Sequence, residues 1–251
     1  MIKEYTKQTI IICFLLQGIA LSSRAQEQQV WQRYYDKCRR EASIIDTLPS
    51  KLEKALHWSP TINKEQKEVI RYILWNMVYV EGGTANLGDN NNYPVDVASF
   101  FINRYEVSQD EWYVIMGENP SNQHRRNYPV DQVNWFNAQR FTQKLSQLSG
   151  LPFRLPFEAE WEYAARGGLK TKNFIYAGSN NAEQVAWFRE KYYNTYVSKE
   201  TGTKKPNELG LYDMSGNVYE WCMDWYDRKV PFTGNIAPVI SEKDTHKVLR
   251  G

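Results

Sequence analysis

Histidine and cysteine are both scarce, with three of each in 251 residues. No Cys-x-x-Cys pair and no Cys/His spacing of the zinc kind occurs, so a structural zinc module is excluded. Gly-x-Gly-x-x-Gly, phosphate-loop and Ser-His-Asp arrangements are absent as well, which removes the dinucleotide, nucleoside-triphosphate and serine-hydrolase readings. Charge of one sign is not in excess: 31 Lys and Arg stand against 29 Asp and Glu. With no basic run interleaved with aromatics, nothing electrostatic favours nucleic acid. The one apolar run, Ile10 to Leu21, contains Gln17 and falls short of the ~20 residues that cross a bilayer.

Lys3 and Lys7 precede that run, and Ser23-Arg24-Ala25 follows it with small residues at a cut site. This is the layout of a secretory signal peptide over residues 1–25. It predicts export to the periplasm or cell surface, with no transmembrane span after cleavage. Losing Lys3, Lys7, Arg24 and Glu4 leaves 28 basic against 28 acidic residues, a formally neutral chain. Cys38 and Cys222 would then meet an oxidising compartment. They can pair or stay as two buried thiols; with one on each side of a domain boundary, the unpaired state is expected.

What the chain has in abundance is aromatic side chains, with nine Trp and seventeen Tyr. Each brings apolar area with a polar tip, which predicts a loop-rich core threaded by side-chain hydrogen bonds. Residues 26–76 read as an N-terminal helical segment. Val30, Tyr34, Cys38 and Ile45 recur at helical spacing, Pro49 and Pro60 interrupt, and Asn63 caps a second stretch through Val69, Ile70, Ile73 and Leu74. From Met77 short strands and Asn/Gly/Pro turns take over. Met77–Val80 is a strand ended by Gly82-Gly83, and helices are expected over 108–116 and 134–148. A third helix follows Pro156, with Phe157, Trp161, Ala164 and Ala165 on one face. Glu158 and Glu160 sit in its positive first turn and Glu162 is spaced to pair with Arg166, so helix electrostatics accounts for the three glutamates without catalysis.

Several segments in order carry a family resemblance: Met77–Gly83 with Gly88, Phe100-Phe101-Ile102 through Tyr105-Glu106-Val107-Ser108, and Pro129–Val133 with Asn134-Trp135. The most specific are Arg154-Leu-Pro-Phe-Glu-Ala-Glu-Trp-Glu-Tyr-Ala-Ala-Arg-Gly-Gly168 and Asn207-Glu-Leu-Gly-Leu-Tyr-Asp-Met-Ser-Gly-Asn-Val-Tyr-Glu-Trp221. Together they resemble the sulfatase-modifying-factor family, the formylglycine-generating enzyme-like domains, over residues 77–251. Phe157 stands where that family has threonine, which is expected to loosen the helix cap. The resemblance implies an α+β domain of the C-type-lectin-like type, low in regular structure. It also implies a choice of roles. Some members are copper-dependent oxidases that convert a sulfatase cysteine to formylglycine, and some partner iron-dependent sulfoxide-forming domains. Others are non-catalytic parts of surface machinery in gliding or secreting bacteria. His57, His124 and His246 form no His-x-x-x-His-x-Glu triad, which argues against the iron-linked role. A sulfatase or another exported protein is the expected partner.

Asp213 and Glu220 place oxygen donors on either side of a glycine turn, a pattern calcium uses because it takes six to eight oxygens from carboxylates and carbonyls. The bland alternative is a metal-free turn with Asp213 in a local Asx bond. The resemblance implies a calcium site contributed by Asp213, Gly216, Val218 and Glu220, the middle two through main-chain carbonyls. The family's second calcium site would map near Val185-Ala186-Trp187, where its asparagine is missing, so it is not expected here. In the resembling oxidases the copper-binding cysteine pair lies beyond the segment matching Val248-Leu249-Arg250-Gly251. Cys222 has no partner at the right distance, and Cu(I) selects paired thiolates. The expectation is a C-terminally truncated member without a copper site in this chain, with a non-catalytic surface module as the alternative function.

Overall fold

The computed structural model describes residues 8–9, 13–14, 55–88, 93–188, 197–226 and 246–251. The expected helical run through Val30 and Ile45, the cut site at Ala25, and Cys38 lie outside the described residues. In order the elements are β1 (Gln8–Thr9), β2 (Cys13–Phe14), α1 (Lys64–Trp75), β3 (Met77–Val80), β4 (Gly83–Leu87), β5 (Tyr93–Val97), β6 (Phe100–Asn103), α2 (Gln109–Met116), α3 (Trp135–Ser149), β7 (Phe153–Arg154), α4 (Glu158–Ala165), α5 (Ala182–Val185), β8 (Tyr219–Trp225) and β9 (Lys247–Arg250). Mixed short helices and strands joined by long loops make this an α+β fold, as the sequence predicts.

The helix starts are written locally. Asn63 and Ser108 form reciprocal capping boxes with Gln66 and Glu111, and Asn134 accepts from the Asn137 amide. Helix α4 starts differently. Phe157 has no acceptor to offer, and the place of a cap is taken from afar: the Glu158 amide donates to Asp224 of β8 at 2.6 Å. Glu160 accepts from the Phe157 amide at 2.8 Å and grips Arg154 with both oxygens, at 2.7 and 2.6 Å. The expected loosening is thus offset by a carboxylate supplied from β8.

Three small sheets organise the strands: β3-β6-β2-β7, β4-β5, and β1-β8-β9. β3 runs antiparallel to β6 from Met77↔Asn103 to Val80↔Phe100, and β8 pairs β9 antiparallel around an irregularity between Trp221 and Trp225. The stretch read as a leader contributes two of these strands. Gln8–Thr9 runs parallel to β8, and Cys13–Phe14 is antiparallel to both β6 and β7.

Two apolar cores lie against this frame. The first holds Ile70, Ile73 and Leu74 of α1 with Trp112, Phe141, Leu145 and Phe153, and Trp112 stacks on Phe141 at 5.1 Å between centroids. Helix α1 is therefore packed into the main core, as its apolar spacing predicts. The second gathers Val80, Leu87, Ile102, Trp161, Leu211, Met214 and Cys222, and it carries the 207–221 loop on its surface.

Candidate functional site

The loop between Asn207 and β8 folds back on itself because Asn207 holds it from within. Its Oδ1 accepts from the Leu209 and Leu211 amides, while its Nδ2 donates to the Ala164 and Ala165 carbonyls at the end of α4. The chain then turns through three left-handed residues: Asp213 (φ 57°), Gly216 (φ 101°) and Asn217 (φ 63°). Gly216 is required twice over, by its φ and by contact. A Cβ there would lie 2.3 Å from the Trp187 carbonyl oxygen. That same carbonyl accepts from the Asn217 amide at 2.7 Å.

This turn brings Asp213 and Glu220 together. Glu220 is fully buried; one oxygen accepts from Trp161 Nε1 at 2.7 Å. Asp213 accepts from the Gly202 amide at 2.7 Å, a bond to a residue eleven positions away and not the local Asx turn considered from sequence. The other oxygen of each, Asp213 Oδ1 and Glu220 Oε1, is buried with no hydrogen-bond partner. Buried, unpaired carboxylate oxygens are costly and call for a proton or a cation. Accordingly burial pushes Asp213 up to about 6, against the Gly202 hydrogen bond. Burial raises Glu220 to about 8, with the Asp213 charge adding to it and the Trp161 bond opposing.

A third carboxylate that sequence reasoning passed over closes the cluster. Glu106, wholly buried just before α2, accepts from Asn217 Nδ2 at 2.7 Å and the Val218 amide at 3.3 Å. Burial, then the Asp213 and Glu220 charges, raises it well above the ordinary carboxyl range. The only local hint was a charged residue beside Val107, which is buried, since its partners are more than a hundred residues away. Asn217 is the hub. Its Oδ1 accepts from the Lys199 amide at 2.8 Å and its Nδ2 also donates to the Lys199 carbonyl at 3.3 Å.

Asp213 and Glu220 therefore fit a divalent cation, with Gly216 and Val218 on the turn between them. Among the described residues no group of three or more His, Cys, Asp or Glu side chains is arranged to hold a metal. An ion at this turn would draw its remaining oxygens from main-chain carbonyls and water, which calcium tolerates. Val218 faces the end of β9, where a Cβ on Gly251 would lie 2.8 Å from its carbonyl oxygen.

Beside the turn lies a cavity of about 230 Å³, lined by Trp161, Arg166, Tyr176, Met214, Ser215 and Arg250 among others. An ion-pair lattice forms its floor: Arg250 reaches Glu158 at 2.7 Å and Glu162 at 2.9 Å, and Glu162 also holds Arg166 at 2.7 Å. The expected Glu162–Arg166 pair is thus present, with Arg250 added by β9. Burial raises Glu158 to about 7, although Arg250 opposes the rise. Ile175 stands exposed at the edge of the cavity.

Copper does not fit what is described. Cys222 is a free thiol fully buried within β8, and burial raises it well above the ordinary range, which disfavours the thiolate that copper selects. No step through copper follows from these residues. Likewise, among the described residues no helix is long and apolar enough to cross a membrane.

Comparison with known proteins identifies the family. The sulfatase-modifying factor enzyme 1-like domain matches residues 64–251, starting at the first residue of α1. Chaperone protein LppX of Paenibacillus barcinonensis is 35% identical over 204 residues, covering 60% of this chain and 72% of that protein. The formylglycine-generating enzyme of Thermomonospora curvata is 32% identical over 155 residues, covering 56% of this chain and 49% of the enzyme, about half its length. The crystal structure of CarF superposes with a TM-score of 0.52 at 26% identity, over 62% of this chain and 83% of that one.

Proposed function

Because this chain belongs to the sulfatase-modifying factor enzyme 1-like family, we propose that it is a calcium-stabilised, exported domain that binds an extended polypeptide in the cavity beside the 213–220 turn. The observation that carries the reading is continuity between the two features. Met214 and Ser215 line the cavity and lie between Asp213 and Gly216, so an ion held by Asp213, Gly216, Val218 and Glu220 would set the shape of that wall. The names of two relatives suggest polypeptide clients: one is a chaperone and another a formylglycine-generating enzyme. A sulfatase-type segment containing cysteine is the first client to try.

Export rests on the leader-like layout of residues 1–25, and the binding domain includes α1, which is packed into the first core. The chemistry of oxidation is a separate matter. It needs a thiolate pair that the described residues do not supply, so this chain is expected to hold a client without converting it. A non-catalytic binding role is the alternative to the oxidase reading, and the burial of the Cys222 thiol is what supports it.

The test is fluorescence anisotropy with a labelled cysteine-containing sulfatase peptide, with calcium or with a chelator. Calcium-dependent binding that Asp213→Asn weakens at least tenfold supports the proposal. Equal binding in chelator, or none in either condition, removes it. Mass spectrometry of the same peptide after incubation with copper and oxygen should show no formylglycine, and its appearance would overturn the assignment of Cys222 as inert.

A further inference from the structure

We propose that the segment from Arg104 to Glu106 clasps both ends of the 213–218 turn, and that Glu106 preforms the cation site from outside the set of oxygens that would hold the ion. This inference rests on the calcium reading above, and its test separates the failure of one from the failure of the other.

Two tethers make the clasp. At the entrance to the turn, the Tyr212 amide donates to the Arg104 carbonyl at 3.0 Å. At its exit, the Val218 amide donates to Glu106 Oε1 at 3.3 Å and Asn217 Nδ2 donates to Glu106 Oε2 at 2.7 Å. The base of the clasp is itself moored on both sides. The Arg104 amide donates to the Asn76 carbonyl at 2.9 Å, and the Val107 carbonyl accepts from the Val130 amide at 2.9 Å. One residue further on, the Ser108 amide donates to Glu111 at 2.7 Å in the capping box of α2, and Val107 is fully buried. The segment therefore has little freedom to follow the turn. The turn must come to it.

Between the tethers, Asp213 and Asn217 keep left-handed backbone at φ 57° and 63°, an unfavourable conformation for residues other than glycine. A turn of that kind opens unless something holds it. Asp213 and Glu220 can share an ion through their buried, unpaired oxygens only while the turn between them stays formed. The apparent affinity of an ion that binds only the formed turn is reduced by the fraction of chains in which it is formed. Whatever forms the turn beforehand therefore sets that affinity. Glu106 is suited to this part. It is buried, and both its oxygens already accept from donors of the turn in charge-assisted bonds, whereas Asp213 and Glu220 each keep one oxygen over. Among the described residues no three such side chains are arranged around one ion, so Glu106 acts through Asn217 and Val218. It is a positioning residue.

Terbium is the probe, on the full chain, because it takes calcium's oxygen ligands and is excited through a nearby indole; Trp161 Nε1 lies 2.7 Å from Glu220. The parent should show tryptophan-sensitised emission that calcium displaces. Glu106→Gln keeps the volume but offers one acceptor oxygen and a donor amide in place of two acceptors, so either Asn217 Nδ2 or the Val218 amide goes unanswered. Calcium should compete roughly tenfold or more weakly in this variant, while emission lifetimes in light and heavy water count the same number of waters on the bound ion. Unchanged affinity denies the preforming role and an additional water makes Glu106 a ligand, so either result would overturn the proposal. A second measurement needs no variant. In the chelated parent the Val218 amide should already exchange roughly tenfold or more slower than an unprotected amide, and protection that appears only with calcium counts against the proposal equally. No calcium-displaceable emission in the parent removes the calcium reading and this inference with it, whereas emission indifferent to Glu106→Gln removes this inference alone.

Discussion

Gly216→Ala is the perturbation whose cost is most directly set by the structure. Two penalties act at this position. An L-residue at φ 101° leaves the allowed regions, and confining a non-glycine residue to positive φ costs about 1–3 kcal/mol. The added methyl would also sit 2.3 Å from the Trp187 carbonyl oxygen, which is backbone and cannot rotate aside. Relief requires moving either the turn or the segment at Trp187, and doing so stretches the Asn217–Trp187 hydrogen bond of 2.7 Å. Gly117 supplies the control. It has φ 87° at the end of α2, and its added Cβ would meet nothing within 4 Å, so Gly117→Ala incurs only the backbone term. A domain of this size loses about 2–4 °C of thermal midpoint per kcal/mol. Gly117→Ala should therefore lower the midpoint by a few degrees, and Gly216→Ala by at least twice as much in the presence of calcium. The assay is calorimetry or urea unfolding of both variants beside the parent. Equal losses would refute the argument, because they would show that the contact with Trp187 relaxes freely.

Other expectations follow from the same turn and its neighbours. Asp213 at about 6 and Glu220 at about 8 lie above the ordinary 3.8 and 4.5, so the ion-free folded state binds more protons than the unfolded chain over that interval. The contribution of this pair to stability should be greatest below about pH 4 and be lost as pH rises from there through 6 to 8. Saturating calcium, which binds the ionised carboxylates, should flatten or reverse this slope and raise the midpoint by mass action; an ion-free midpoint that climbs from pH 5 to pH 8 contradicts the burial argument. Arg154→Leu removes the bidentate partner of Glu160, whose side chain is 7% exposed. Stranding a buried charge of this kind costs about 3–5 kcal/mol, and urea unfolding should show it, with the double change Arg154→Leu, Glu160→Leu less damaging than the single. Asn217→Ala deletes the side-chain contacts to Glu106 and Lys199. Each buried group left unsatisfied costs about 1–3 kcal/mol, so calorimetry should show a loss comparable to the Arg154 variant, and a change under 1 kcal/mol would deny Asn217 its place as hub.

The sequence by itself determined what depends on near neighbours. Helix starts at Asn63, Ser108 and Asn134 are decided by a side chain reaching an amide three residues ahead, and the apolar spacing of α1 and α3 marks the faces that reach the core. The α+β class and the family were legible because whole blocks, Arg154–Gly168 and Asn207–Trp221, carry their turn glycines, helix carboxylates and packing aromatics together. Tertiary structure alone decided the rest. Glu106 has no local signature of partnership, since the asparagine and amide that hold it come from a loop some 110 residues on. Asp224 gives no hint that it serves the first turn of α4, where Phe157 cannot, and Arg250 becomes the bridge between Glu158 and Glu162 only when β9 lies beside β8. The segment around Cys13 is the sharpest case. Its apolar run satisfies a leader and a buried strand equally, and hydrophobicity is not directional. That Cys13–Phe14 pairs with both β6 and β7 is written nowhere in that run and is decided by the tertiary structure.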